Sequence, residues 1–133
     1  MTIVDFRIML AMRDAPGYWY LATAYSSCPR GIDWAFEEAC RIAAWMLRRG
    51  VNVYSPIAHT HPIAKHGGID PLDHSIWLPF DEPLMRAANG LIVAMMDGWK
   101  ESEGIRHEVG VFADADKMIY HLPWPQPERG MTG

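Results

Sequence analysis

Four short apolar segments recur along the chain, and a stretch with helical periodicity follows each of the first three. Largely uncharged runs of this length, bounded by Gly, Pro or Asn, are typical of buried strands. The predicted strands are residues 18–22, 51–57, 90–96 and 117–122. The intervening segments repeat apolar residues three and four positions apart, as amphipathic helices do. The predicted helices are residues 33–49, 75–89 and 103–116.

Strands that alternate with helices form a parallel sheet that helices cover on both faces. This pattern predicts a single-domain three-layer α/β/α fold with a Rossmann- or flavodoxin-like parallel sheet of four to five strands. We assign this domain to residues 18–122, with an N-terminal extension of residues 1–17 and a proline-rich tail of residues 123–133. Asp33 is the expected N-cap of the first helix, and Pro79 and Pro83 are expected to interrupt the second.

Ligands of such sheets bind in a crevice beyond the carboxyl ends of the strands. The segments that follow the predicted strands are residues 23–27, 59–66 and 97–104, and we expect them to surround one crevice. Residues 59–73 are rich in His, Gly and Pro and are predicted to form a loop. A loop of this length in a compact domain usually has a function.

Composition restricts the class of protein. The chain has 133 residues, a net charge of −4 and scattered basic residues, so a nucleic-acid polymer is not an expected partner. Cys28 and Cys40 lie outside metal or redox spacing, which favours reduced thiols and a cytoplasmic location. The apolar residues 3–12 contain Asp5 and Arg7 and are too short to cross a bilayer, so no membrane partner is expected. The high content of Trp and Met favours a homodimer or larger assembly.

Glu108 is the main candidate for chemistry. Helical spacing places it on the flank of the apolar stripe of its helix, about one turn from the N-terminus, where it points to the crevice. Ser102 and Gly104 precede it, so a hydroxyl and free backbone amides converge on an anion-binding position. Ser26 and Ser27 add hydroxyls from the facing turn. The alternative is that Glu108 only interacts with the helix dipole, while Ser102 caps the helix and the two serines turn the chain.

Three motifs carry a family resemblance. Residues 102–110, Ser-Glu-Gly-Ile-Arg-His-Glu-Val-Gly, resemble the signature of the nucleoside 2-deoxyribosyltransferase superfamily, closest to the branch that hydrolyses nucleotide N-glycosidic bonds. Asp81, eight residues before Asn89, and the segment 20–26 agree with this resemblance. The runs Tyr-Leu-Ala-Thr, Ser-Pro-Ile-Ala-His-Thr-His-Pro and Gly-Trp-x-x-Ser-x-Gly are similar to a subgroup described only as a domain of unknown function. The resemblance covers residues 18–122.

The resemblance implies an enzyme that cleaves the N-glycosidic bond of a nucleoside or nucleoside 5′-monophosphate, by hydrolysis or transfer, without a cofactor. Glu108 matches the nucleophilic carboxylate, Asp81 the acid that assists departure of the base, and Tyr20 the tyrosine that positions the nucleophile. Ser102 matches a serine that contacts a 5′-phosphate. A carboxylate suits this reaction because cleavage builds positive charge on the sugar, while the base needs a proton. The two carboxyl groups should therefore titrate differently.

The chain also departs from the family pattern. Ala24 replaces a serine and Ser26 replaces an arginine, so the phosphate site is incomplete, and Asn89 stands where Asp is common. Trp99 and the histidine-rich segment are additional to the pattern and suggest a different base pocket. The residues expected to contact the substrate are Tyr25, Ser26, Ser27, His59, His61, Trp99, Ser102 and Gly104.

Two other functions stay open from the sequence. His59 and His61 with Asp73, His74 or Asp81 form a possible metal site of the kind used by metallohydrolases. A fold of this class also serves as a non-catalytic nucleotide-binding module. A kinase or dehydrogenase has no support, because the chain lacks both glycine-rich phosphate-binding motifs of those enzymes.

Overall fold

The computed structural model describes residues 1–127, in which five parallel strands form one sheet. The strands are β1 Thr2–Ile3, β2 Trp19–Ala22, β3 Val53–Tyr54, β4 Gly90–Met95 and β5 Met118–Pro123. Their order across the sheet is β1-β5-β4-β2-β3. The predicted α/β fold with a parallel sheet is confirmed.

Five helices accompany the sheet within this described range. They are α1 Phe6–Asp14, α2 Ile32–Arg48, α3 Pro56–Gly67, α4 His74–Ala87 and α5 Glu103–Asp114. The residues assigned to an N-terminal extension supply β1 and α1, and Val4 and Met12 from this segment are buried in the core. No helix within residues 1–127 is at once long enough and apolar enough to span a bilayer.

The first part of the predicted tail is packed against the domain. Pro123 ends β5, and the Trp124 ring lies edge-on to Trp45 with a centroid distance of 6.1 Å. The Trp124 indole also donates a hydrogen bond to Glu38 Oε2 at 3.1 Å. Residues 128–133 of the tail lie outside the described residues.

Side-chain alternation along β2 divides the core into two clusters, one on each face of the sheet. Leu21 packs with Ile42 and Met46 of α2 on the first face. Tyr20 packs with Phe112 of α5 on the second face. The whole of β2 is buried, as expected for a strand covered on both faces. Tyr20 therefore lies beneath α4 and α5 and not beneath α2.

The strand order changes direction at β2. The chain runs from β2 to β3 on one side, and then returns to place β4 on the other side. Such a switch point opens a crevice at the carboxyl ends of the two strands, because their following connections leave over opposite faces. Here the turns after β2 and β4 are in direct contact, since Ser27 Oγ donates to the Gly98 carbonyl at 2.8 Å.

The prediction of a loop over residues 59–73 is wrong, because residues 56–67 form helix α3. Ser55 caps the helix by accepting a hydrogen bond from the Ala58 amide, and Pro56 occupies the first turn, where its missing N–H costs nothing. Gly68 ends the helix in the left-handed conformation, with φ of 71°. The predicted strand 51–57 is correspondingly shorter. The loop was predicted from the His, Gly and Pro content of residues 59–73, and the helix-end signals at Ser55, Pro56 and Gly68 were not used.

Two further local predictions are wrong. The N-cap of α2 is Gly31, and Asp33 lies in the first turn with its side chain bonded to His61. Helix α4 runs without a break through Pro79 and Pro83. Both prolines are exposed, so water can satisfy the carbonyls that lose their helical partners.

The contact between the two turns gives a prediction about stability. Gly98 has φ of +90°, and a Cβ there would lie 2.6 Å from the Ser27 carbonyl oxygen. We expect Gly98→Ala to lower the free energy of unfolding by about 2 kcal/mol or more, measured by urea denaturation. Gly110→Ala is the control, since it has open space in α5 and should be neutral or stabilising. Equal stability of both variants would contradict the close packing of the turns.

Candidate active site

A pocket of about 400 Å³ opens at the carboxyl ends of β2 and β4. Its walls come from the turn after β2, the first turns of α3 and α5, and one side of α4. The predicted site residues that line it are Tyr20, Tyr25, Ser26, Ser27, Asp81, Ser102, Gly104 and Glu108. A cavity of this size is typical of sites for small molecules.

Tyr20, Asp81 and Glu108 lie together at the floor of this pocket. The Tyr20 side chain is fully buried, yet its hydroxyl forms no hydrogen bond of normal geometry within residues 1–127. The Glu108 carboxylate is close enough to interact with this hydroxyl, although the pair falls outside normal hydrogen-bond limits. Asp81 Oδ1 is also buried without a partner in the described chain. Buried polar atoms are normally paired, so these groups are available to a ligand or to water.

Burial also changes the protonation of the two carboxyl groups. Loss of solvation, with a further contribution from the charge of Asp81, raises the pKa of Glu108 to about 8. Burial raises the pKa of Asp81 to about 6. Because the pKa of Asp81 is the lower of the two, Asp81 ionises first, and its charge then disfavours ionisation of Glu108. Between about pH 6 and pH 8 the pair therefore holds one proton and one negative charge.

Helix α5 brings a hydroxyl and backbone amides to the pocket. Ser102 is buried and caps the helix by accepting a hydrogen bond from the Ile105 amide at 3.1 Å. Gly104 lines the pocket, and a Cβ added there would meet only Ser102 Oγ, at 3.7 Å. Glu108 is one turn further along and shares a helix face with Gly104. Ser102 therefore both caps α5 and lines the pocket.

Three hydroxyl groups from β2 and its turn differ in their availability. Ser26 is exposed, whereas Ser27 is committed to the Gly98 carbonyl. Thr23 was not predicted as a site residue, but it lines the pocket and its buried Oγ1 has no hydrogen-bond partner among residues 1–127. Its place in the Tyr-Leu-Ala-Thr run was the signal in the sequence.

His61 supports the pocket from behind without lining it. Its Nδ1 is 2.6 Å from the Tyr25 hydroxyl, and its Nε2 is 2.9 Å from Asp33 Oδ1. The imidazole is buried and stacks on Phe36 with a centroid distance of 4.6 Å. Because the Asp33 carboxylate only accepts, Nε2 carries a proton in this arrangement. The chain of contacts fixes the position of Tyr25 in the pocket wall.

His59 and Trp99, which were expected to contact the substrate, lie outside the pocket lining. His59 is exposed, contacts the Tyr54 hydroxyl at 3.1 Å and stacks on Phe80. The Trp99 ring packs edge-on against His121. His59 and His61 thus have separate partners on different sides of α3. Within the described residues 1–127, no three His, Cys, Asp or Glu side chains are grouped so that they could hold a metal ion.

A profile of the family DUF1937, described as a domain of unknown function, matches residues 17–122. The chain belongs to the DUF1937 family. No curated protein matches the chain. The matched range contains every residue that lines the pocket, so the pocket is part of the DUF1937 domain itself.

Helix α4 contributes pocket residues of the DUF1937 domain that the sequence analysis missed. They are Trp77, Leu78 and Met85, together with Pro71 and Leu72 just before the helix. His74, which the sequence suggested only as a possible metal ligand, also lines the pocket. Only Asp81 of this helix was expected at the site. The apolar spacing of α4 predicts a helix but does not indicate which residues face the sheet and which face a cavity. No local signal in the sequence distinguishes them.

The raised pKa of Glu108 gives a test of its burial that needs no substrate. A carboxyl group whose folded-state pKa exceeds the unfolded value destabilises the fold as pH rises from about 4.5 through 8. We therefore expect Glu108→Gln to raise the Tm of the DUF1937 domain by about 2 °C or more at pH 9, and much less at pH 5. Thermal melts at both pH values measure the difference. Glu37→Gln, at an exposed position, should show no such dependence.

Proposed function

We propose that this protein cleaves the N-glycosidic bond of a nucleoside or nucleotide, by hydrolysis or by transfer of the sugar. One observation carries the proposal: Glu108 and Asp81 form a half-buried pair of interacting carboxyl groups beside Tyr20, at the floor of a pocket of small-molecule size. Paired carboxyl groups with raised pKa values are typical of sites that perform acid–base or nucleophilic chemistry.

The singly protonated pair supplies both groups that the reaction needs. Its proton rests mainly on Glu108, which has the higher pKa, so the reactive form is the tautomer in which Asp81 carries the proton and Glu108 is ionised. The C1′–N bond breaks with its electron pair on the base nitrogen, and Asp81 donates the proton that this nitrogen takes up. The ionised Glu108 stabilises the developing charge or bonds to C1′. Water, or a second base, then attacks C1′, the Glu108 carboxylate is released, and the proton of the attacking group restores Asp81. The Tyr20 hydroxyl can donate a hydrogen bond that positions Glu108.

Resemblance and geometry support the proposal independently. The resemblance to the nucleoside 2-deoxyribosyltransferase superfamily was assigned from motifs that are distant in the sequence. Its three catalytic positions, Tyr20, Asp81 and Glu108, line the same pocket. Positions matched by chance would have no reason to converge at one end of the sheet.

The direct test is release of free base from a panel of nucleosides and their 5′-monophosphates, followed by chromatography. We expect Glu108→Ala to reduce kcat/KM by about three orders of magnitude or more, because the developing charge loses its carboxylate. Glu37→Ala on α2 is the matched control and should retain activity. A Glu108→Ala variant within tenfold of the wild-type would falsify the assignment. Binding of panel members without any release of base would favour a nucleotide-binding module.

The coupled carboxyl groups predict the pH dependence. With a neutral base as leaving group, kcat/KM should rise through about pH 6 and fall through about pH 8, as the pair loses its first and second proton. Asp81→Asn removes a negative charge near Glu108 and therefore lowers the pKa of Glu108. Its reduced activity should show one rising limb, below pH 8, and no falling limb. An unchanged bell-shaped profile in Asp81→Asn would contradict the coupling.

A further inference from the structure

We propose that the pocket selects nucleosides whose base carries a positive charge and which lack a 5′-phosphate. This inference rests on the proposed function and narrows its substrate class.

The charged residues around the pocket have one sign. Four carboxyl groups line it and no lysine or arginine does, among the residues that the structure describes; they belong to Asp81, Glu101, Glu103 and Glu108, and the Asp81–Glu108 pair retains one proton near neutral pH. His74 and His107 are the other titratable side chains of the lining besides two tyrosines. Glu101 and Glu103 are exposed at the mouth, while the other pair lies at the floor. A ligand that enters passes two negative charges before it meets the coupled pair.

Three basic residues on elements that border the pocket contact groups outside its lining. Arg30 pairs with Asp97 at 3.9 Å, and Lys65 pairs with Asp33 at 3.5 Å. Lys100 lies over the Trp99 ring, 5.7 Å from its centroid. Arg30, Lys65 and Lys100 are all absent from the pocket lining. The negative potential of the cavity is therefore not neutralised by side chains of its own wall.

Hydroxyl groups in the pocket suit a sugar better than a phosphate. The buried Thr23 hydroxyl has no hydrogen-bond partner within residues 1–127, and it is a neutral group that can pair with a sugar hydroxyl. The Tyr20 hydroxyl, beside Glu108, is also neutral and makes no hydrogen bond of normal geometry in the same residues. Ser27, which was expected to help bind a phosphate, instead donates a hydrogen bond to the Gly98 carbonyl. The first turn of α5 remains as an anion site, but Glu101 and Glu103 lie at the same place. A phosphate dianion would enter against like charge.

Aromatic side chains supply the second feature that favours a cation. Trp77 and Tyr25 line the pocket together with Tyr20. The Trp77 indole donates to the Asp70 carbonyl at 3.0 Å, and Tyr25 is held by His61, so both rings are fixed. Rings combined with carboxylates are the combination that binds planar or quaternary cations. A positively charged heteroaromatic base is a planar cation of this kind.

A cationic base also fits the buried carboxyl groups. When its C1′–N bond breaks, the electron pair neutralises the charged nitrogen, and the neutral base departs without taking a proton. Water then adds to C1′ and loses one proton to Asp81 or to solvent. The products are the free sugar, the neutral base and one proton, so the reaction balances without another reactant. Such a substrate needs only the carboxylate form of Glu108.

Binding of two non-cleavable probes tests the selection by charge directly. N1-methylnicotinamide is a cation, and nicotinamide is its neutral counterpart of nearly the same shape. We expect calorimetry on the wild-type to show binding of the cation about tenfold or more tighter. Glu101→Gln and Glu103→Gln should reduce this ratio, whereas the control Glu37→Gln, away from the pocket, should leave it unchanged. Equal binding of the two probes would overturn the inference.

Cleavage assays separate this inference from the proposed function. Guanosine, 7-methylguanosine and their 5′-monophosphates combine neutral or cationic bases with the presence or absence of phosphate. We expect release of base to be fastest from 7-methylguanosine, after subtraction of its uncatalysed rate, and the 5′-phosphate to lower kcat/KM by about tenfold or more. Equal cleavage of all four compounds would reject the inference and leave the proposed function intact. Binding of the cation without release of base from these four compounds or from the wider panel of nucleosides and nucleotides would reject the proposed function.

Discussion

Parallel pairing of β2 with β4, with Tyr20 opposite Leu91 and Ala22 opposite Val93, brings two turns of the chain side by side. Side chains along β2 alternate between the two faces of the sheet, and in this pairing Tyr20 lies on the face covered by α4 and α5. It also places the turn after β2 against Gly98, where no side chain fits. The crevice exists because the connections from these strands leave over opposite faces of the sheet. The turn that follows β2 and the helix that follows β4 both supply residues that line the pocket.

The floor of the pocket combines groups that a stable core would not contain. Glu108 and Asp81 are half-buried and interact with each other, and the buried hydroxyls of Tyr20 and Thr23 make no hydrogen bond of normal geometry in the described chain. Each of these features costs stability, because burial without compensation disfavours charges and unpaired polar atoms. Apolar packing on both faces of β2 and β4 offsets that cost. Sites that bind and transform ligands commonly retain such destabilising groups.

Much of this protein follows from the sequence by itself. Alternating apolar segments and amphipathic helices predict a parallel α/β sheet, since burial on both faces requires that pattern. Ser102 was recognised as the start of α5 from its type and position, because capping depends on neighbours three residues away. Motif resemblance named Tyr20, Asp81 and Glu108, and these residues line one pocket. Each of these inferences uses short-range chemistry or a pattern of residue types.

Other features were decided only by the tertiary structure. Helix α3 was mistaken for a loop because of its polar composition, although Ser55, Pro56 and Gly68 mark its ends. Only the tertiary structure shows that distant residues, Tyr25 and Asp33, bind its buried His61. The raised pKa of Glu108 arises from loss of solvation in the folded protein and from the charge of Asp81. The predominance of carboxylates over cations in the pocket wall likewise depends on which side chains meet there. These properties come from contacts between residues far apart in the chain, and local periodicity carries no information about such contacts.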